Sequence, residues 1–209
     1  MIEFREITRT SSNEFHEVME MYVRAFPSRE RHPVSVIAER VRLKSNRLYV
    51  GSSGNETVFF ALLWPLRDTD FVLLDYIATK HTYRNKGIAS TFLRTMADEL
   101  KVKGKHIILE VESPRSGDNR QERERRVAFY RHHGAKELQG INYMLPPLDG
   151  NTPTKMILMM LPECEEGKIS GDVVRKTIVQ MYRELYGRNE NDALLGTFVQ
   201  NIGDTVELI

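Results

Sequence analysis

Apolar and polar residues alternate with a period of two over residues 1–7, and the rhythm then changes. From Phe15 the apolar positions fall at Phe15, Val18, Met19, Tyr22 and Phe26, the spacing of one helix face. This predicts a half-buried edge strand and then a helix that stops before Pro27, with Ser11, Ser12 and Asn13 as cap candidates. Beyond a charged stretch at 27–32, Pro33 suits a first helical turn, and Val34, Ile37, Ala38 and Val41 predict a second, short helix. Strands are expected at 47–50, 57–64 and 71–79. Their separators at 51–55 and 67–70 have the Gly, Ser, Asn and Asp of hairpin turns, so this part of the sheet is expected to be antiparallel.

Ile88, Phe92, Leu93, Met96 and Leu100 then define a long amphipathic helix closed by Gly104. It leads to 106–112, apolar until Glu110 and Glu112; a strand reached through a helix is expected to run parallel to the strand before it. An arginine-rich helix runs to about His133 and stops at Gly134, and 140–145 and 155–161 predict two further strands. The whole reads as an α/β fold, a mixed sheet of about seven strands with helices on both faces. Past Pro162, Val174, Ile178, Met181, Tyr182 and Leu185 mark one more helix, while 194–209 is mildly apolar without a period. The expected organisation is a domain over 1–162 and a C-terminal helical extension over 163–209, packed on the domain or on the second subunit of a homodimer.

Composition narrows the functions open to such a chain. Thirty Lys and Arg against 29 Asp and Glu leave a net charge of +1, so no global field favours nucleic acid or a membrane surface. Neither partner is expected. The single cysteine, Cys164, sits beside Glu163, Glu165 and Glu166 and has no partner for an internal disulfide. With no signal-peptide pattern and no apolar run near ~20 residues, a cytoplasmic location is expected. The six histidines lack metal-ligand spacing, so no metal is expected; favourable charge at a helix C-terminus accounts for His132 and His133.

The most informative segment is a strand that passes through a basic turn into a helix: Leu73-Leu74-Asp75-Tyr76-Ile77-Ala78-Thr79, then Lys80-His81-Thr82-Tyr83-Arg84-Asn85-Lys86-Gly87-Ile88-Ala89-Ser90. Small residues at Gly87 and Ala89 let a ligand come close to main-chain N–H groups that a first helical turn leaves without partners. Arg84 and Lys86 put positive charge at the same place. These features predict a diphosphate cradle; the bland alternative is a capped helix with solvated charges.

Arg84-x-x-Gly87-x-Ala89 resembles the acetyl-coenzyme A signature, Arg/Gln-x-x-Gly-x-Gly/Ala, of the GNAT acetyltransferase superfamily. The predicted element order resembles that fold over about residues 1–162, and 127–135, with Tyr130, resembles the family's later helix. The resemblance implies acetyl-coenzyme A as cosubstrate and direct transfer of its acetyl group to a primary amine of a small molecule or peptide. It implies pantetheine contacts from the backbone of Ile77, Ala78 and Thr79, and a diphosphate held by Arg84, Asn85, Lys86, Gly87, Ile88, Ala89 and Ser90. A backbone N–H near Ile77 or Ala78 would stabilise the oxyanion, and Tyr130 would protonate the departing sulfur. Where relatives often carry an asparagine, this chain has Arg123, so that contact is not carried over.

Alternation puts Glu110 and Glu112 on one face of their strand, with Asp75 on the neighbouring one. Carboxylates are costly to bury unpaired, and two held close raise one another's pKa, so this acidic cluster is the expected general base, Glu110 first. The alternative for each is an ion pair with an arginine of the following helix; for Tyr130 it is simple aromatic packing. Most arginines of that helix suit a solvated face, with Arg125 and Arg126 as candidates for a coenzyme phosphate. The loop bearing Arg29, Glu30 and Arg31 lies where relatives have the wall of the acceptor pocket. A non-catalytic acetyl-coenzyme A sensor on the same fold is the rival reading.

Overall fold

The computed structural model describes residues 2–117, 119–148, 150–161 and 167–209. Cys164, Asp118, the 162/163 boundary and the side chain of Arg29 lie outside the described residues. The chain forms two compact units, one of Met1–Pro65, Leu74–Met96 and Leu148–Gly150, the other of Leu66–Leu73, Ala97–Pro147 and Asn151–Ile209.

The first unit contains β1 (Glu3–Ile7), α1 (Asn13–Ala25), α2 (Val34–Arg42), β2 (Arg47–Ser53), β3 (Glu56–Pro65), most of β4 (Phe71–Thr79) and the start of α3 (Ile88–Val102). Its strands lie in the order β1-β2-β3-β4, with β1 and β3 both antiparallel to β2. The Ser12 hydroxyl caps α1, accepting from the Phe15 N–H at 3.2 Å. Strand β3 is buried along nearly its whole length because both faces are covered. Phe60 and Leu62 pack with Phe15, Val18, Tyr22, Ile37 and Val41 of the helices. Phe59 meets Phe4 and Phe92 on the other face, ring centres 5.4 and 5.0 Å away.

In the second unit the first residues of β4 pair in parallel with β5 (His106–Glu112), and β5 is antiparallel to β8 (Thr154–Leu161), with Glu110 opposite Leu158. The helix α4 (Arg120–His132) lies between them in sequence. Two short strands, β6 (Lys136–Glu137) and β7 (Met144–Leu145), also pair with β8. The expected strand over 140–145 is thus reduced to its last two residues: Gly140 turns the chain at φ +79°, and Pro146 and Pro147 have no N–H for a ladder.

The same unit holds β9 (Lys168–Ser170), α5 (Gly171–Tyr186), α6 (Ala193–Val199) and β10 (Thr205–Glu207). The face of α5 carrying Val174, Ile178, Met181, Tyr182 and Leu185 is buried, as its spacing predicts. Only glycine fits at Gly171, where a Cβ would lie 1.8 Å from the Gly203 carbonyl oxygen. That close approach lets the Gly171 N–H reach the Asp204 oxygen at 2.7 Å. The chain end closes on β6: Glu137 and Ile209 exchange backbone hydrogen bonds of 2.8 and 3.1 Å, beside a Leu138–Leu208 bridge.

Candidate active site

In the first unit, β4 ends in the half-buried Ile77, Ala78 and Thr79, and a single 3-10 turn over His81–Tyr83 leads to α3. Arg84, Asn85, Lys86 and Gly87 are all exposed. Asn85 and Gly87 take left-handed backbone, φ +61° and +74°, a region that is easy for glycine and tolerated by asparagine. The first bond of α3 runs from the Thr91 N–H to the Gly87 oxygen at 2.9 Å. The N–H groups of Ile88, Ala89 and Ser90 therefore precede the helical ladder.

Side chains keep this mouth positive. The Arg84 Nε lies 3.4 Å from the Thr79 oxygen, and the Lys86 Nζ sits 4.5 Å from the centre of the Tyr83 ring. The nearby Glu56 carboxylate is occupied by Lys80 and by the Tyr83 hydroxyl, the latter at 2.8 Å. These two hydrogen bonds hold Glu56 below the usual carboxylate range. A Cβ at Gly87 would meet nothing within 4 Å, so there is room at the mouth for a ligand, and an anion fits its donors and charge.

Asp75 is half-buried on β4, next to Tyr76. Tyr76 serves the loop expected to wall an acceptor pocket. Its hydroxyl donates to the Glu30 oxygen and accepts from the His32 N–H, both at 3.3 Å, while the Tyr22 hydroxyl donates to the His32 oxygen at 3.0 Å. Arg31 donates to the Phe26 oxygen at 3.0 Å. Burial pushes the Tyr22 phenol up to about 12 and Tyr76 further, and with help from Arg40 it lowers His32 to about 4.

In the second unit Glu110 and Glu112 share a face of β5 but not an environment. Glu112 is clamped by two arginines of α4, Arg123 and Arg126, each at 2.9 Å. Arg123 also donates to the Ser113 and Ser116 carbonyls, which ties the loop after β5 to the helix. Arg126 reaches Glu122 as well, at 3.9 Å. Glu110 instead accepts from two phenols, Tyr143 at Oε1 and Tyr186 at Oε2, the second at 2.6 Å. The residue as a whole keeps some surface. Burial of its carboxyl nevertheless pushes the pKa up to about 7, against the lowering effect of the two phenols.

Tyr130 lies on α4 with 7% of its surface exposed, and burial raises it to about 12. Its hydroxyl makes no hydrogen bond among the described residues. Sequence reasoning overlooked Tyr143 and Tyr186. The second was within reach of it, since Tyr186 stands four residues after Tyr182 and extends the recognised stripe of α5. Among the described residues no group of three or more His, Cys, Asp and Glu could hold a metal, and no helix is long and apolar enough to cross a membrane.

Among solved structures, the chain is similar to a protein assigned to the GNAT family from Bacteroides thetaiotaomicron. The identity is 22% and the TM-score 0.75, covering 90% of this chain and 99% of that one. It is also similar to the spermidine N-acetyltransferase of Vibrio cholerae, solved with CoA and spermine (14% identity, TM-score 0.56, 77% and 94% covered). A third is a GNAT family acetyltransferase of Elizabethkingia anophelis with acetyl-CoA bound (18%, TM-score 0.50, 76% and 96%). At these identities the likeness speaks for the fold. No curated protein matches the chain. Residues 15–135, more than half of the sequence, match the acetyltransferase (GNAT) family, whose members use acetyl-CoA, and the chain belongs to that family.

Proposed function

We infer that this protein is an N-acetyltransferase that moves the acetyl group of acetyl-CoA to a primary amine of a small molecule or peptide by direct attack. The observation that carries this reading is the exposed turn from Arg84 to Ser90, with left-handed Gly87 and the three N–H groups ahead of the α3 ladder. Those amides, with Arg84 and Lys86, hold the diphosphate, while the backbone of Ile77, Ala78 and Thr79 takes the pantetheine arm and stabilises the oxyanion. Arg126 adds charge for a coenzyme phosphate, and Arg29, Glu30 and Arg31 belong to the wall that selects the amine.

Glu110 accepts a proton from the substrate ammonium, directly or through a water; Glu112 and Asp75 are the other acids proposed for this role. A carboxyl near 7 is matched to that task at neutral pH. The free amine nitrogen then bonds to the thioester carbonyl carbon and the carbon–sulfur bond breaks. Tyr130 gives its proton to the departing thiolate, and the proton shed by the new amide nitrogen restores the phenol. A phenol held near 12 keeps its proton until a thiolate forms.

Replacing Gly87 by Val forces a β-branched residue into left-handed backbone beside the amides. Acetyl-CoA affinity by calorimetry is expected to fall roughly a hundredfold, the loss of two charge-assisted hydrogen bonds; near-normal affinity would remove the phosphate turn. Tyr130→Phe is expected to lower kcat about a hundredfold with KM for acetyl-CoA nearly unchanged, and an unchanged kcat would assign the donor elsewhere.

A second reading has its own observation: the carboxyl groups of Glu110 and Glu112 are both engaged, by phenols and by guanidinium groups. A non-catalytic acetyl-CoA sensor would show this. Thiol release measured over spermidine, an aminoglycoside, free amino acids and short peptides separates the two, since binding of acetyl-CoA without turnover on any of them would favour the sensor.

A further inference from the structure

The carboxyl of Glu110 is held by two hydroxyls that arrive from different parts of the chain. Tyr143 comes from the segment before β7 and is fully buried. Tyr186 comes from the last residue of α5, in the C-terminal part of the sequence, and its hydroxyl oxygen lies 2.6 Å from Oε2. Each takes a different carboxyl oxygen, so together they fix the rotation of the group as well as its place. Tyr182, one turn earlier on α5, stands close by but spends its hydroxyl on the Met144 carbonyl. Across the sheet, Glu110 is opposite the apolar Leu158. Thus the titratable side chains that act on this carboxyl from the elements packed around it are Tyr143, Tyr186 and, at longer range, Tyr182.

Helix α5 does more than cover apolar surface. Its buried face is already complete with Val174, Ile178, Met181, Tyr182 and Leu185. The contact from Tyr186 is polar, and it is aimed at the side chain read above as the proton acceptor. We propose that Tyr186, together with Tyr143, is a positioning residue for Glu110, and that α5 is thereby a working part of the acetyl-transfer apparatus. The two phenols present the carboxylate in one orientation, and they favour its charged form because each O–H donates more strongly to a carboxylate than to a neutral acid. The inference rests on the reading of Glu110 as base, and its test keeps the two apart.

The test uses the full chain labelled with carboxyl-13C glutamate, the Glu110 signal being the one lost in Glu110→Gln. Tyr186→Phe and Tyr143→Phe each remove one oxygen and keep the ring, and Tyr182→Phe removes a hydroxyl bonded elsewhere. The Glu110 titration midpoint is expected to rise by about one pH unit in each of the first two variants and to stay in place in Tyr182→Phe. The acid limb of kcat/KM for thiol release should move with it, on whichever amine of the panel reacts fastest. A midpoint that does not move in Tyr186→Phe, or that moves as far in Tyr182→Phe, overturns the positioning role. Should Glu110→Gln turn over normally while the midpoint shifts as expected, the reading of Glu110 as base falls and the proposed role in transfer falls with it. A dead Glu110→Gln with an unmoved midpoint overturns the positioning role alone.

Discussion

Each unit holds a pair of tyrosines whose hydroxyls are bonded inside the protein, and the two pairs satisfy those hydroxyls in different ways. In the first unit Tyr22 and Tyr76 donate to the backbone carbonyls of His32 and Glu30. In the second, Tyr143 and Tyr186 donate to the side-chain carboxyl of Glu110. Burial raises Tyr22, Tyr76 and Tyr143 alike, so these phenols keep their protons near neutrality. The acceptors differ. A carbonyl carries no titratable charge, and the first pair ties down its loop equally well at any ordinary pH. A carboxyl gains and loses a proton, so the hold of the second pair strengthens as Glu110 ionises. One residue type is a fastener in one place and a tuning device in the other because of what it bonds to.

The sharpest way to break this contrast is through pH, because the ionisable groups beside the two pairs shift in opposite directions. Glu110 is raised from 4.5 to about 7. The folded chain therefore holds that proton more tightly than the unfolded chain, and the stability linked to Glu110 falls as pH rises from about 4.5 to 7. His32 is lowered from 6.5 to about 4. The unfolded chain protonates first there, and the stability linked to His32 falls as pH drops from 6.5 towards 4. Glu110→Gln removes the first slope. Urea unfolding of this variant should gain stability relative to wild type as pH rises from 4.5 to 7, by at most about 3 kcal/mol. His32→Gln comes next, with an opposite change of about 1–2 kcal/mol, discounted because His32 keeps part of its surface. Parallel curves for wild type and Glu110→Gln would mean that the carboxyl is solvated and that the two tyrosine pairs do not differ in kind.

How much of this could be read from the chain depends on how local each feature is. The turn at Arg84 to Ser90 was legible because its charge, its glycine and its place between a strand and a helix are contiguous. The buried stripe of α5 and the apolar run of β3 were legible because periodicity reports burial directly. Strands β6, β9 and β10 were not, since two or three residues carry no period and are held by partners far away: Glu137 pairs with Ile209, and β9 with β10. Glu110 and Glu112 are equivalent by alternation alone. They are told apart only by Arg123 and Arg126 on one side and by Tyr143 and Tyr186 on the other, all supplied by separate segments. In the same way, nothing near Tyr76 in the sequence announces that its hydroxyl bonds residues 30 and 32.

The smallest expected effect is the one that isolates the acceptor. Tyr22→Phe keeps the ring in its aromatic cluster, 4.8 Å from Tyr76 and 5.8 Å from Phe26, and removes the hydroxyl that bonds the His32 oxygen and interacts with the Tyr76 hydroxyl. That should cost about 1 kcal/mol, and the same at pH 5 as at pH 8, because neither partner changes charge in that range. Tyr186→Phe removes a shorter bond, 2.6 Å against 3.0 Å, from a group that is neutral at pH 5 and ionised at pH 8. Its cost should therefore grow from about 1 to about 2 kcal/mol. Urea unfolding at the two pH values reads both. If Tyr22→Phe proved as pH-dependent as Tyr186→Phe, charge would be reaching the loop through its carbonyl anchor, and the acceptor would no longer explain why one pair holds steadily while the other responds to protons.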